Sequence, residues 1–180
     1  MRIISGTLKG RRLRAPDWPG LRPTSDRLGE TLFNVLGQRL DGWRVLDAYA
    51  GTGAVGIEAL SRGAAEVVFV DRDPRAVSLI TDNLAHCGVI DRYVIIREDF
   101  GGASARLGDR QFDLMFLDPP YGAAQLASAL EQAEPLATPG TTVVIEHARR
   151  DAAPARHGRL WLTRALESGD SGLAIYERRE

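Results

Sequence analysis

The sequence is poor in cysteine, lysine and long apolar runs. Cys87 is the only cysteine, which excludes a disulfide framework or a cysteine metal site within the chain. It is expected to lie inert at the end of a helix. His86, His147 and His157 are the only histidines, and they show no metal-ligand spacing. Neither a Ser-His-Asp arrangement nor a P-loop is visible. No stretch approaches the roughly 18 apolar residues of a membrane helix. The N-terminal charges are not followed by the apolar segment of a signal peptide. These absences set the expectation of a cytoplasmic protein with no membrane partner and no metal. Net charge is −1, so the chain as a whole carries no basic signature for nucleic acid.

What is present is an ordinary globular composition. The chain has 180 residues, 44% of them hydrophobic and 26% charged, enough for one domain with a sizeable core. Its basic residues are one lysine and 22 arginines, and they cluster early. Residues 1–30 hold Arg2, Lys9, Arg11, Arg12, Arg14, Arg22 and Arg27 against Asp17, Asp26 and Glu30. Arginine forks pair bidentately with phosphate.

The patterning divides residues 1–42, a basic arm and a helix, from residues 43–180. Arg2–Ser5 and Arg11–Arg14 suit a short hairpin or extended arm. Thr24 or Ser25 is a plausible N-cap for a helix running to about Leu40. From Trp43 the pattern alternates strand and helix. Strands are expected at Arg44–Tyr49, Glu66–Asp71, Tyr93–Arg97, Phe112–Leu117 and Thr141–Glu146. Helices are expected at Val55–Ser61, Pro74–His86, 102–107 and Gln125–Leu136. Residues 147–158 read as a polar loop, and Leu160–Leu166 with Leu173–Arg178 as a closing hairpin. That is an α/β fold with a mostly parallel sheet of seven strands and helices on both faces.

Two stretches carry chemistry. Asp118-Pro119-Pro120-Tyr121 follows an apolar strand. The prolines have no N–H and cannot continue a ladder. The turn therefore presents a carboxylate and an aromatic ring where α/β sheets bind ligands, beyond the strand ends. The second stretch is LDAYAGTGAVGIEAL (46–60), a strand, a glycine-rich turn and a helix. Gly51, Gly53 and Gly56 fit GxGxxG, and Asp71 lies at the ribose-binding spacing of a dinucleotide fold. A nicotinamide-dependent oxidoreductase is thus one reading. Asp47 argues against it, because a carboxylate aimed at the turn repels a pyrophosphate and suits a ligand carrying an ammonium and a sulfonium. Asp71 can accept from ribose hydroxyls, with Asp73 the better helix cap. Asp99 is placed to accept from an adenine amine, with Phe100 beside the ring. Asp47, Asp71, Asp99 and Asp118 each end one of successive strands.

The tetrapeptide resembles the (D/N)PPY motif of amino-methyltransferases, and DxxxGxG resembles motif I of class I methyltransferases. Together with LRPTSDRLGETLFNVL (21–36) and VVFVDRD (67–73), they resemble the RsmD family. The resemblance implies a class I, Rossmann-like methyltransferase with an N-terminal extension. It implies S-adenosylmethionine as cofactor and the N2 amine of a guanine in bacterial 16S rRNA as acceptor, within a small-subunit particle, acted on by a monomer. It assigns catalysis to Asp118, Pro119, Pro120 and Tyr121, and cofactor binding to Asp47, Gly51, Gly53, Asp71, Asp99 and Phe100. Arg11, Arg12, Arg22 and Arg27 are the candidate RNA contacts. A DNA adenine-N6 methyltransferase would share DPPY, but it usually carries a target-recognition domain for which 180 residues leave no room. Two positions depart from the family: Gly29 stands where a basic residue is usual, and 167–172 lacks an expected lysine.

Overall fold

Apolar residues occupy nearly every position of the central strands, and such strands need cover on both faces. The computed structural model describes residues 1–19 and 26–179, apart from the side chains at 26–28 and 168. Its strands are β1 (Arg44–Ala48), β2 (Glu66–Asp71), β3 (Tyr93–Arg97), β4 (Leu114–Leu117), β5 (Thr142–Ala148), β6 (Arg156–His157), β7 (Leu160–Ser168) and β8 (Ser171–Arg178). They form one sheet in the order β3-β2-β1-β4-β5-β8-β7-β6. The strands from β3 to β5 run parallel, and β8, β7 and β6 are antiparallel. The expected seven strands are present. An eighth, the two-residue β6, lies inside the segment read as a polar loop. A strand that short has no periodicity to detect.

The helices are α1 (Asp26–Leu36), α2 (Ala54–Ser61), α3 (Pro74–His86), α4 (Phe100–Leu107) and α5 (Ala123–Ala133). One side of the sheet packs Val45, Phe69, Phe116 and Val144 against α1, α2, α3 and the N-terminal arm. The other packs Leu46, Val68, Met115 and Ile145 against α4 and α5. The alternation is the period of two of a strand, here apolar on both faces.

Several boundaries differ from expectation, most of the strand ends by one or two residues. Helix α1 stops at Leu36 rather than Leu40, because Gly37 turns with φ 104°. Leu40 is nonetheless fully buried, anchored through its N–H to the Arg62 carbonyl. Helix α4 begins at Phe100 rather than 102, because the Asp99 carboxylate caps it through the Gly102 N–H at 3.0 Å. Helix α5 runs from Ala123 to Ala133, and a tight turn, Glu134–Leu136, completes the predicted span.

The arm is a hairpin: the Ile3 N–H donates to the Arg11 carbonyl and the Gly10 N–H to that of Ile3. Ile3 and Leu13 are buried in the same cluster as α1 and α2. A buried polar hub fixes it there. The Glu58 carboxylate accepts from the Ile4 and Ser5 N–H groups at 2.7 and 3.0 Å. It also pairs with Arg62 at 2.7 Å. The Arg62 guanidinium lies 4.4 Å over the Phe33 ring and donates to the Gln38 carbonyl. Asn83 on α3 accepts from the Arg14 N–H at 2.7 Å.

Candidate active site

Strand order reverses between β1 and β4, whose outward connections run in opposite directions, and a crevice opens beyond their carboxyl ends. A cavity of about 1050 Å³ lies there. Asp47, Gly51, Asp71, Asp99, Phe100, Asp118, Pro119, Pro120 and Tyr121 all line it. The predicted acids are therefore brought together, although up to 71 residues of chain separate Asp47 from Asp118. Gly53 is not in the wall. It occupies the left-handed region at φ 76°, where it starts α2 and packs toward Ile80. Gly56 has a packing role as well: a Cβ there would lie 2.2 Å from the Phe69 ring.

The acids are not equivalent. Asp47 is 2% exposed, and its carboxylate accepts from the Gly56 N–H at 2.9 Å, capping α2 from the neighbouring strand. Burial raises its carboxyl to about 8, against that hydrogen bond, and the Asp71 charge adds to the rise. Asp71 accepts from the Gly51 and Asp73 N–H groups, each at 2.9 Å, tying the glycine turn to β2. Asp73 caps α3 through the Arg75 N–H at 2.8 Å, as its position predicted. Phe100 is buried and meets Tyr49 edge-on at 5.6 Å.

Asp118 is different in kind. It is half-buried, and no hydrogen bond from a described residue stabilises its charged form. Burial first, then the charges of Glu146 and Asp47, push its carboxyl well above the usual carboxylate range. Pro119 is buried, Pro120 exposed and Tyr121 half-buried. The Tyr121 hydroxyl donates to Glu146 Oε1 at 3.1 Å and lies 2.6 Å from Ser171 Oγ.

Several wall residues were not singled out from sequence. Glu146 lies two residues before the end of β5 and is 7% exposed. An acid closing an apolar run was its available signal. Ser171 opens β8, and Gln125 lies on α5. Tyr49 holds a left-handed backbone, φ 61°, an uncommon state for a bulky residue. Their convergence is tertiary and left no local mark.

The described RNA-contact candidates, Arg11 and Arg12, do not line the cavity. Arg11 and Arg12 are exposed on the arm, Arg11 reaching the His86 carbonyl at the end of α3 at 3.4 Å. Arg22 lies outside the described residues, as do Thr24, Ser25 and the Arg27 side chain. A side chain at Gly29 would meet nothing within 4 Å. Beside the lysine-free 167–172 turn, Arg149 pairs with Glu167 at 2.9 Å. Among the described residues no cluster of His, Cys, Asp and Glu suits a metal, and no helix is long and apolar enough to cross a membrane.

A parallel sheet with this reversal and an acid-lined cavity at the reversal define a Rossmann-like class I methyltransferase. Residues 1–177 match the family described as conserved hypothetical protein 95. The chain belongs to that family, the RsmD family. It is 39% identical to the Bacillus subtilis protein named "Putative rRNA methyltransferase YlbH", over 99% of this chain and all of that protein. It is 38% identical to ribosomal RNA small subunit methyltransferase D of Escherichia coli, over 67% of this chain and 60% of that protein. The solved structure of yhhF from Escherichia coli superposes with a TM-score of 0.86 at 30% identity, covering 99% and 98% of the two chains. None of these relatives supports the oxidoreductase or DNA-adenine readings.

Proposed function

We propose that the protein transfers a methyl group from S-adenosylmethionine to the exocyclic N2 amine of a guanine in small-subunit ribosomal RNA. The observation that carries this is Asp118: a carboxylate without a helix to cap, beside an aromatic ring, at the reversal of a methyltransferase sheet. The names of the relatives support RNA of the small subunit as the acceptor.

The cavity fits such a cofactor. Burial raises the Asp47 carboxyl, and an ammonium beside it would favour its charged form. Gly51 brings the backbone of the turn into the cavity wall, and Asp71 retains lone pairs for ribose hydroxyls, since an ionised carboxylate has about four acceptor sites. Asp99 and Phe100, in the same wall, would hold the adenine. S-adenosylmethionine supplies a methyl made electrophilic by its sulfonium.

The chain's task is to prepare the nucleophile. An aromatic amine has its lone pair delocalised into the ring. The Asp118 carboxylate and the Pro119 carbonyl accept its two N–H bonds, which favours a more tetrahedral nitrogen and stabilises the charge that develops. Asp118, or water after it, takes the amine proton. Tyr121 stacks on the base, a contact worth about 1–3 kcal/mol. The base must leave its stack to enter.

The test is radiolabelled methyl transfer offered to unmodified small subunits, naked 16S rRNA and duplex DNA, with the product nucleoside identified. N2-methylguanosine from rRNA or subunits is expected. N6-methyladenine from DNA would overturn the substrate reading. Asp118→Ala is expected to abolish turnover while cofactor binding stays within about threefold, since uniform binding and transition-state stabilisation are separable. Equal loss of both would refute the role given to Asp118.

A further inference from the structure

Glu146 has no part in the chemistry above, yet it stands beside it. The β4–β5 register pairs Leu117 with Ile145, so Asp118 and Glu146 are the next residues on adjacent parallel strands. Asp47 pairs with Phe116 on the other flank of β4. Alternation places Asp47, Asp118 and Glu146 on one sheet face, in one cavity wall. Glu146 is 7% exposed, and its carboxylate is steadied by the Tyr121 hydroxyl at 3.1 Å, itself 2.6 Å from Ser171 Oγ. An ionised carboxylate offers about four acceptor sites, so it can serve several donors at once.

Two neighbouring acceptors select one base. The exocyclic amine of adenine sits next to an acceptor nitrogen of the ring, and so does that of cytosine. Only in guanine does the amine adjoin a ring N–H. An acceptor beside Asp118 therefore completes a match to guanine and opposes the other two, lone pair against lone pair. We infer that Glu146 accepts the N1–H of the target guanine while Asp118 holds its N2 amine, so that Glu146 sets the choice of base. This rests on the guanine reading above.

The probe is 2-aminopurine, which keeps the N2 amine but has an unprotonated N1. Small-subunit particles are reconstituted from rRNA ligated to carry guanine or 2-aminopurine at the methylated position. With wild-type protein, kcat/KM is expected to fall by more than about tenfold on 2-aminopurine, the scale of a buried acceptor left unmatched. In Glu146→Gln the amide can donate to the bare nitrogen, so the ratio is expected to narrow or invert. Cofactor binding by the variant checks that it is folded. A wild-type ratio below tenfold overturns the inference without any variant. So does a Glu146→Gln protein that loses activity equally on both substrates, which would mark Glu146 as support for Tyr121 alone. Transfer to neither substrate by wild type would instead overturn the guanine reading beneath it.

Discussion

Asp47 caps α2 and lines the cavity proposed for the cofactor. As an acid closing an apolar strand four residues before Gly51, it was legible from spacing. Its cost was not, because burial is a tertiary property. The raised folded value, about 8 against 3.8, means that the folded chain holds a proton the unfolded chain releases. Stability from this group is complete below about pH 4 and is lost as pH rises through about 8. Asp118 acts in the same direction. The ligand-free protein should thus lose thermal stability between pH 5 and pH 8, and Asp47→Asn should flatten that slope. A variant with an unchanged Tm–pH profile would show that Asp47 does not titrate there. Cofactor binding should release a proton and tighten as pH rises toward about 8, which calorimetry in buffers of differing ionisation enthalpy measures.

Among the elements, the N-terminal hairpin depends on α2. The sequence marks an arm by its glycines and arginines, but its anchor, Glu58, reads as an ordinary helical residue in an apolar stretch. Only packing turns it inward, where it meets two backbone N–H groups and Arg62. Removing one partner of a buried pair leaves a charge uncompensated, at about 3–5 kcal/mol. Glu58→Ala should lower unfolding stability in urea by that order and expose residues 1–14 to proteolysis. A loss below about 1 kcal/mol would mean that water or relaxation replaces the hub. Gly37 and Asp99 belong to the same scale. Each set an element boundary by local chemistry, a left-handed turn and a cap, that hydrophobic periodicity does not register.

In the whole molecule the proposed chemistry and the proposed grip on RNA lie apart. The acids line the cavity beyond the strand ends, while Arg11 and Arg12 stand exposed on the hairpin that packs across α2 and α3. A net charge of −1 conceals this division, since the balance is local. If the arm holds phosphates, Arg11→Gln with Arg12→Gln should weaken RNA binding at low salt. It should also make the slope of log K against log salt shallower by roughly 1–2, about one released counterion per contact. An unchanged slope would remove the arm from the RNA surface. Cofactor binding, which depends on none of these arginines, is the internal control.

By itself the sequence determined the order of strands and helices, the parallel sheet with its closing antiparallel pair, and the acids at its strand ends. These follow from local rules: the periods of two and 3.6, glycine at left-handed turns, and proline at a ladder's end. Only the tertiary structure decided which acids became caps and which, Asp118, did not. It decided that Gly53 turns the chain outside the cavity wall, and that Glu146 and Ser171 join Tyr121 there. Such relations depend on distance between residues far apart in the chain and on exclusion of water, and neither is written in any one segment.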